Sequence, residues 1–352
     1  MKVYVLPADK YGCGHYRLIW PADVLRRQGH DVVIIPPDSR TGFLAKTQED
    51  SAGREIIVSV QAPEDADVIV TQRPAHMFQP QMIDILRANK IAVVVDMDDD
   101  MSCIHPHNGA FHMYRNNPNS PLSWKNAAES CKKATLVTTS TASLQKVYAK
   151  HGRGITIDNY VPGAYLGFDK PPTGAFGWAG TMQSHPNDPQ VSTPAVQKLA
   201  AEGFPFHVIG DGKGVAAAMR LPKAPPCTGF VGLTDWAKAI CGTIDVGMVP
   251  LAATSFNTSK SRLKGIEMSA VGVPWVASPR EEYRRLAKQS GAGLLADTPR
   301  EWYEKLKLLM TDEVMRKELA EAGKDFMADQ TYESQAWRWA EAWEQAYRME
   351  RG

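Results

Sequence analysis

The sequence predicts an α/β protein of two parallel-sheet units, on three observations. Short apolar runs alternate with helical patterns along nearly the whole chain, as in "KVYVLP", then "YRLIWPADVLRRQGH", then "DVVIIP". A Pro/Gly-rich break, "VPGAYLGFDKPPTG", interrupts the alternation, which restarts at "AFGWAG". The 352 residues suffice for two cores of ordinary domain size. Strands separated by helices pair in parallel and are covered on both faces, so each unit is expected to be Rossmann-like. We expect a first unit over 1–165, a second over 174–325, and a C-terminal helix over 326–352 that packs back on the first.

Each element has its own signal. In the first unit, "REIIVSV", "DVIVTQ" and "IAVVVD" read as strands, and "PQMIDILRANK" as the helix before the last of these. After a stretch rich in Asn, Pro and His, helix "SWKNAAESCKKA" leads to strand "TLVTTS", and helix "TASLQKVYAKHG" to "ITIDNY". The second unit repeats the pattern through "FHVIGD", "CTGFVG", "DVGMVPL", "PWVAS" and "AGLLAD" as strands. Trp337, Trp339, Trp343 and Tyr347 mark the terminal helix; glutamates on its polar face argue against a membrane-lying helix and for one packed across a domain.

Composition narrows the function. A net charge of +1 gives no reason to expect a polyanion partner. Five scattered cysteines without a C-x-x-C pair exclude a disulfide framework and a zinc ribbon, and fit a reducing compartment. No apolar run nears the about 20 residues of a membrane span. "MKVYVLPADK" reads as a first strand, not a signal peptide. A cytoplasmic protein is expected.

Ligands of open α/β sheets bind beyond the carboxyl ends of the strands, and four motifs lie there. The turn "YGCGHYR" joins the first strand to the first helix, and Gly12 and Gly14 allow close backbone approach. A dinucleotide fingerprint needs a third glycine where Arg17 stands, which disfavours NAD; a tight turn without ligand is the plainer alternative. Arg73, in "TQRP", ends another strand. "VVVDMDDDM" places Asp96, Asp98, Asp99 and Asp100 after a strand. This cluster admits a dehalogenase-type phosphatase, a metal-binding D-x-D, or a carboxylate wall facing an acceptor hydroxyl, with helix or turn capping as the structural alternative. The phosphatase pattern asks for Thr or Val where Asp100 stands. His105, His107 and His112 follow without a third well-spaced ligand partner, so no metal site is assigned to them.

The fourth motif is "DVGMVPLAATSFNTSKSRLKGIEMSAVGVPWVAS". A strand ends in "VPL", a polar loop follows, and a helix opens at Ser261 and Arg262, whose free N–H groups suit a diphosphate. Lys260 and Lys264 supply positive charge, and Glu267, two turns on, offers a carboxylate to a ribose diol.

This stretch resembles the donor-site signature of GT-B glycosyltransferases, especially the retaining family 4 group. In that signature two glutamates with seven residues between them precede A-x-A-x-G-x-P-V-V-A-S; Glu267 and "SAVGVPWVAS" fit, while Ser259 stands in place of the first glutamate and "SKSRL" in place of "EGFGL". "FGWAGTMQSHPND" resembles the glycine loop of the donor domain, which places Gly180 and His185 near the donor, and the turn at 229–231 near the nucleobase. By the same resemblance "GCGHYR" brings Gly14 to the donor phosphates. Stretches of the first unit also resemble bacteriophage glycosyltransferases.

The resemblance implies transfer of a sugar from a nucleoside diphosphate sugar to an acceptor hydroxyl, with retention and without a metal or other cofactor. Donor binding falls to Gly14, Gly180, His185, Lys260, Ser261, Arg262, Lys264 and Glu267. Asp98 and Asp99 are the catalytic candidates, orienting the acceptor, with Arg73, Asp96, Asp100 and His105 on the acceptor side. A modified DNA base, a protein, a lipid and a small molecule stay open as acceptors. A nucleotide-sugar epimerase of the same fold and a phosphatase built on Asp96 and Asp98 are the alternatives.

Overall fold

The computed structural model describes residues 1–39, 44–115 and 122–352. Its first sheet comprises β1 (Lys2–Leu6), β2 (Asp31–Ile34), β5 (Val68–Gln72), β6 (Ala92–Met97), β7 (Leu136–Thr139) and β8 (Gly154–Thr156), ordered β2-β1-β5-β6-β7-β8. All of its pairings are parallel. The reason is visible in β6, whose Val93, Val94 and Val95 are all fully buried; only a strand covered on both faces can use such an unbroken apolar run.

The second sheet comprises β9 (Phe176–Gly180), β10 (Phe206–Gly210), β11 (Val246–Val249), β12 (Trp275–Ala277) and β13 (Gly293–Leu295), ordered β10-β9-β11-β12-β13, again all parallel. In each sheet the order reverses beside the first strand, which opens a crevice at the carboxyl ends of β1 and β5, and of β9 and β11.

Two expected strands depart from this pattern. "REIIVSV" does not join the first sheet: β4 (Glu55–Gln61) forms an antiparallel hairpin with β3 (Leu44–Glu49). Every residue of β3 is exposed, and a run as polar as "LAKTQE" cannot be covered on both faces. "CTGFVG" forms no strand beyond a single bridge between Cys227 and Val208, because Gly229 turns the chain at a φ of 76°.

The C-terminal segment crosses back as expected. Helix Trp337–Arg351 packs on the first sheet, with Trp339 and Trp343 buried in the core formed by β1, β5 and helix Trp20–Arg27. Trp337 stays 47% exposed, so its neighbours and not it hold the helix down. No helix among the described residues is long and apolar enough to cross a membrane.

Candidate functional site

The wall provided by the second sheet is built around helix Leu263–Ala270, which follows β11 through a short polar loop. Lys264 points from its first turn to the end of β9, where its ammonium donates to the Ala179 carbonyl at 2.8 Å and lies 4.9 Å from the centre of the Trp178 ring. Gly180 makes room for it, since a Cβ there would stand 2.5 Å from the Lys264 Nζ. Burial lowers the Lys264 pKa to about 8.

His185 follows in the same loop. Its Nδ1 lies 2.7 Å from Asp188, whose other oxygen accepts from the Ala252 N–H at 2.9 Å and the Asn257 amide at 2.6 Å. Burial and then the Lys264 charge push His185 down to about 4, so it is neutral at ordinary pH. With Nδ1–H donating to the carboxylate, Nε2 carries the free lone pair.

Glu267 sits on the inner face of the helix, only 4% exposed. It accepts hydrogen bonds from the Tyr16 hydroxyl and the Trp236 side chain, and burial raises its pKa to about 7.

The opposite wall is built on β5 and β6. Arg73 leaves β5 with a φ of 51°, a left-handed conformation that a residue of this size adopts only under constraint. Its guanidinium grips Asp98 through two nitrogens, with 2.6 Å between Nη2 and Oδ2, and reaches Asp99 and the Cys13 sulfur at 3.1 Å. Burial would raise Asp98, but the Arg73 charge outweighs it and holds the carboxyl below its ordinary value. Asp99 also takes Lys260 at 2.7 Å from across the crevice. Above this group a cavity of about 510 Å³ opens at the carboxyl ends of β1, β2 and β5, lined among others by Pro7, Pro36, Gln72, Arg73, His76 and Tyr114. The two walls touch where the Asn108 amide donates to the Ser184 carbonyl at 3.0 Å and Gly109 N–H to the Gln183 carbonyl at 2.9 Å.

The structure thus brings Gly180, His185, Lys264 and Glu267 to one wall, and Arg73, Asp98 and Asp99 to the other, with Lys260 joining them. Other expected positions are used differently. Asp96 is wholly buried, bonded to Arg17 at 2.8 and 3.1 Å and to Thr138 at 2.7 Å, so it cannot touch an acceptor. A phosphatase nucleophile at Asp96 is ruled out by the same burial. Asp100 caps the short helix Met101–Cys103 through Ser102 N–H at 3.0 Å. His105 lies away from the 510 Å³ cavity, in a crevice of about 60 Å³ shared with Ser184 and Asp188. The Ser261 hydroxyl accepts from Asn159 at 3.0 Å. Arg262 turns to the linker side and pairs with Asp158 at 3.1 Å, since the helix starts one residue after it. Gly14 serves its own turn: a Cβ there would lie 1.9 Å from the Asp9 carbonyl oxygen. Among the described residues no group of three His, Cys, Asp or Glu could hold a metal ion.

Sequence reasoning missed Tyr16, Arg17 and Asp188. The spacing His185–Asp188 in "HPND" was a usable signal for the last. Nothing local marks Tyr16, whose partner lies 251 residues away.

Two parallel sheets that meet across a crevice formed by their strand ends define the GT-B class of glycosyltransferase folds. Within it, residues 174–312 match the family model described as glycosyl transferases group 1, so the chain carries a group 1 glycosyltransferase domain and is an enzyme of that kind. Among solved structures it is similar to sucrose-phosphate synthase from Thermosynechococcus elongatus, with a TM-score of 0.65 at 12% identity over 99% of this chain and 100% of that one. It is also similar to HepE from Anabaena in complex with UDP, with a TM-score of 0.63 at 14% identity over 97% and 99% of the two chains. A glycosyltransferase from Rickettsia africae aligns with a TM-score of 0.64 at 12% identity, covering 98% of each chain. At such identities the likeness is one of fold. No curated protein matches the chain by sequence.

Proposed function

We propose that the protein moves a sugar from a nucleoside diphosphate sugar to an acceptor hydroxyl, with retention at the anomeric carbon. The observation that carries this is the facing of two built walls, Lys264, His185 and Glu267 on the group 1 domain against the Arg73-bound carboxylates of the first sheet. The donor domain spans 174–325, the acceptor domain covers 1–165, and residues 326–352 tie the two together.

In this reading the diphosphate meets Lys264, Lys260 and the start of helix Leu263–Ala270, and no metal is needed to offset its charge. Glu267 takes the ribose diol. The acceptor enters the 510 Å³ cavity, and its hydroxyl approaches Asp98 and Asp99. A carboxylate held down in pKa by Arg73 is a weak proton acceptor but a good hydrogen-bond acceptor, which favours orientation by Asp98 over general-base catalysis. The leaving diphosphate oxygen then receives the acceptor proton as the new glycosidic bond forms. Contact of the walls keeps out the water that would hydrolyse the donor. HepE, bound to UDP in one structure and to UDP and glucose in another, lends support to a uridine nucleotide as the first to try.

The test is a thermal-shift panel of UDP-, GDP-, ADP- and dTDP-sugars on the wild type and Glu267→Ala. One donor class should stabilise the wild type and lose most of its effect in the variant. No response to any donor, or one indifferent to Glu267, would remove the proposal. Product analysis without acceptor separates transfer from epimerisation.

A further inference from the structure

The carboxylate assigned to the ribose is already occupied. Glu267 accepts the Tyr16 hydroxyl, and Tyr16 comes from the opposite wall. The phenol is itself buried, with the Tyr165 hydroxyl 3.4 Å from its own and the Trp20 ring packed edge-on at 4.6 Å. With Glu267 4% exposed beneath these rings, a sugar diol cannot reach it while Tyr16 is in place.

Nor can Tyr16 swing aside alone. It lies in a π-helical turn, His15–Ile19, where the widened backbone leaves carbonyls for outside donors. The Tyr16 carbonyl accepts from the Tyr332 hydroxyl at 2.7 Å, and the Arg17 carbonyl from the Trp339 indole at 2.8 Å. The Arg17 side chain is locked to Asp96, to Asn159 at 3.0 Å and to the Ile157 carbonyl at 2.6 Å. The turn therefore moves only together with the first sheet and its terminal helix.

We infer that Tyr16 is the residue that sets nucleotide affinity, by competing with the donor ribose for Glu267 and releasing it only when the crevice opens. The inference rests on the donor-site reading given above. In the closed enzyme the Tyr16 hydroxyl stands in for a ribose hydroxyl. A nucleotide binds the open fraction, so its apparent affinity is reduced by the fraction that is closed. Tyr16→Phe removes the competing hydroxyl and leaves the ring packing on Trp20.

Isothermal titration with UDP, GDP, ADP and dTDP on wild type, Tyr16→Phe and Glu267→Gln tests this, with thermal unfolding to confirm that each is folded. For whichever nucleotide the wild type binds, Tyr16→Phe should bind about tenfold tighter, the scale of one hydrogen bond to a charged group, and Glu267→Gln should bind more weakly. Small-angle scattering should show the unliganded Tyr16→Phe protein more open. Equal or weaker affinity in Tyr16→Phe, with Glu267→Gln still impaired, would overturn the gate and leave the donor site standing. Failure of the wild type to bind any of the four would take down the donor-site reading and the gate together.

Discussion

Asp99 is shared between the two walls of the crevice, accepting Lys260 at 2.7 Å from one side and Arg73 at 3.1 Å from the other. A single carboxylate thereby links the loop before helix Leu263–Ala270 to the floor of the 510 Å³ cavity. The two walls of the crevice are tied by charge at this point.

Asp98→Asn keeps the shape of the side chain but halves the grip on Arg73 and removes the charge proposed to orient an acceptor. Transfer should fall by about 10²-fold, the cost of misplacing a reacting group, while nucleotide affinity changes little. Steady-state kinetics beside titration calorimetry separates the two; an equal loss in both would assign Asp98 to the donor instead.

Nucleotide affinity should depend on pH through Lys264. Its pKa of about 8 means that the ammonium is charged below that value and loses its charge above it, so a diphosphate binds less tightly as pH rises from 7 to 9. Deprotonation of Glu267 near 7 supplies the carboxylate that accepts a ribose diol and so acts in the opposite direction, but it is largely complete before Lys264 loses its proton. Lys264→Met should bind weakly throughout and lose most of the slope, as titrations at several pH values will show.

Gly180→Ala should reproduce some of that loss without touching a charge. The added methyl would lie 2.5 Å from the Lys264 Nζ, forcing the ammonium off Ala179 and Trp178. About tenfold weaker nucleotide binding is expected together with a lowered melting temperature, since the same methyl would also stand 2.9 Å from the buried Trp178 ring at a φ of 157°.

Arg17→Met should destabilise the fold by about 3–5 kcal/mol, because it leaves Asp96 buried and unpaired. Urea unfolding measures this, and the double variant Arg17→Met with Asp96→Leu should recover much of the loss. Trp339→Ala removes a fully buried indole and its bond to the Arg17 carbonyl, and should cost about 3–5 kcal/mol in the same assay.

The alternation of strands and helices, apart from "REIIVSV" and "CTGFVG", and the crossing of the terminal helix were legible in the sequence, because periodicity acts locally. So was the strand–loop–helix pattern of residues 245–278. The aspartate cluster shows where local information ends. Alternation along β6 puts Asp96 on the same face as Ala92 and Val94, toward the core beneath Trp339, and not on the acceptor side where the sequence reading set it.

What the sequence did not contain was the partner of each carboxylate. Arg17 reaches Asp96 from 79 positions away, Arg73 claims Asp98 from 25, and Tyr16 meets Glu267 across 251. A charge is drawn inside only where an opposite charge or a donor awaits it, and that meeting is fixed by how the two sheets pack. Amino-acid order determined that carboxylates would gather at a strand end. Only the tertiary structure decided which of them became a buried strut, which a helix cap, and which the partners of an arginine that lines an open cavity.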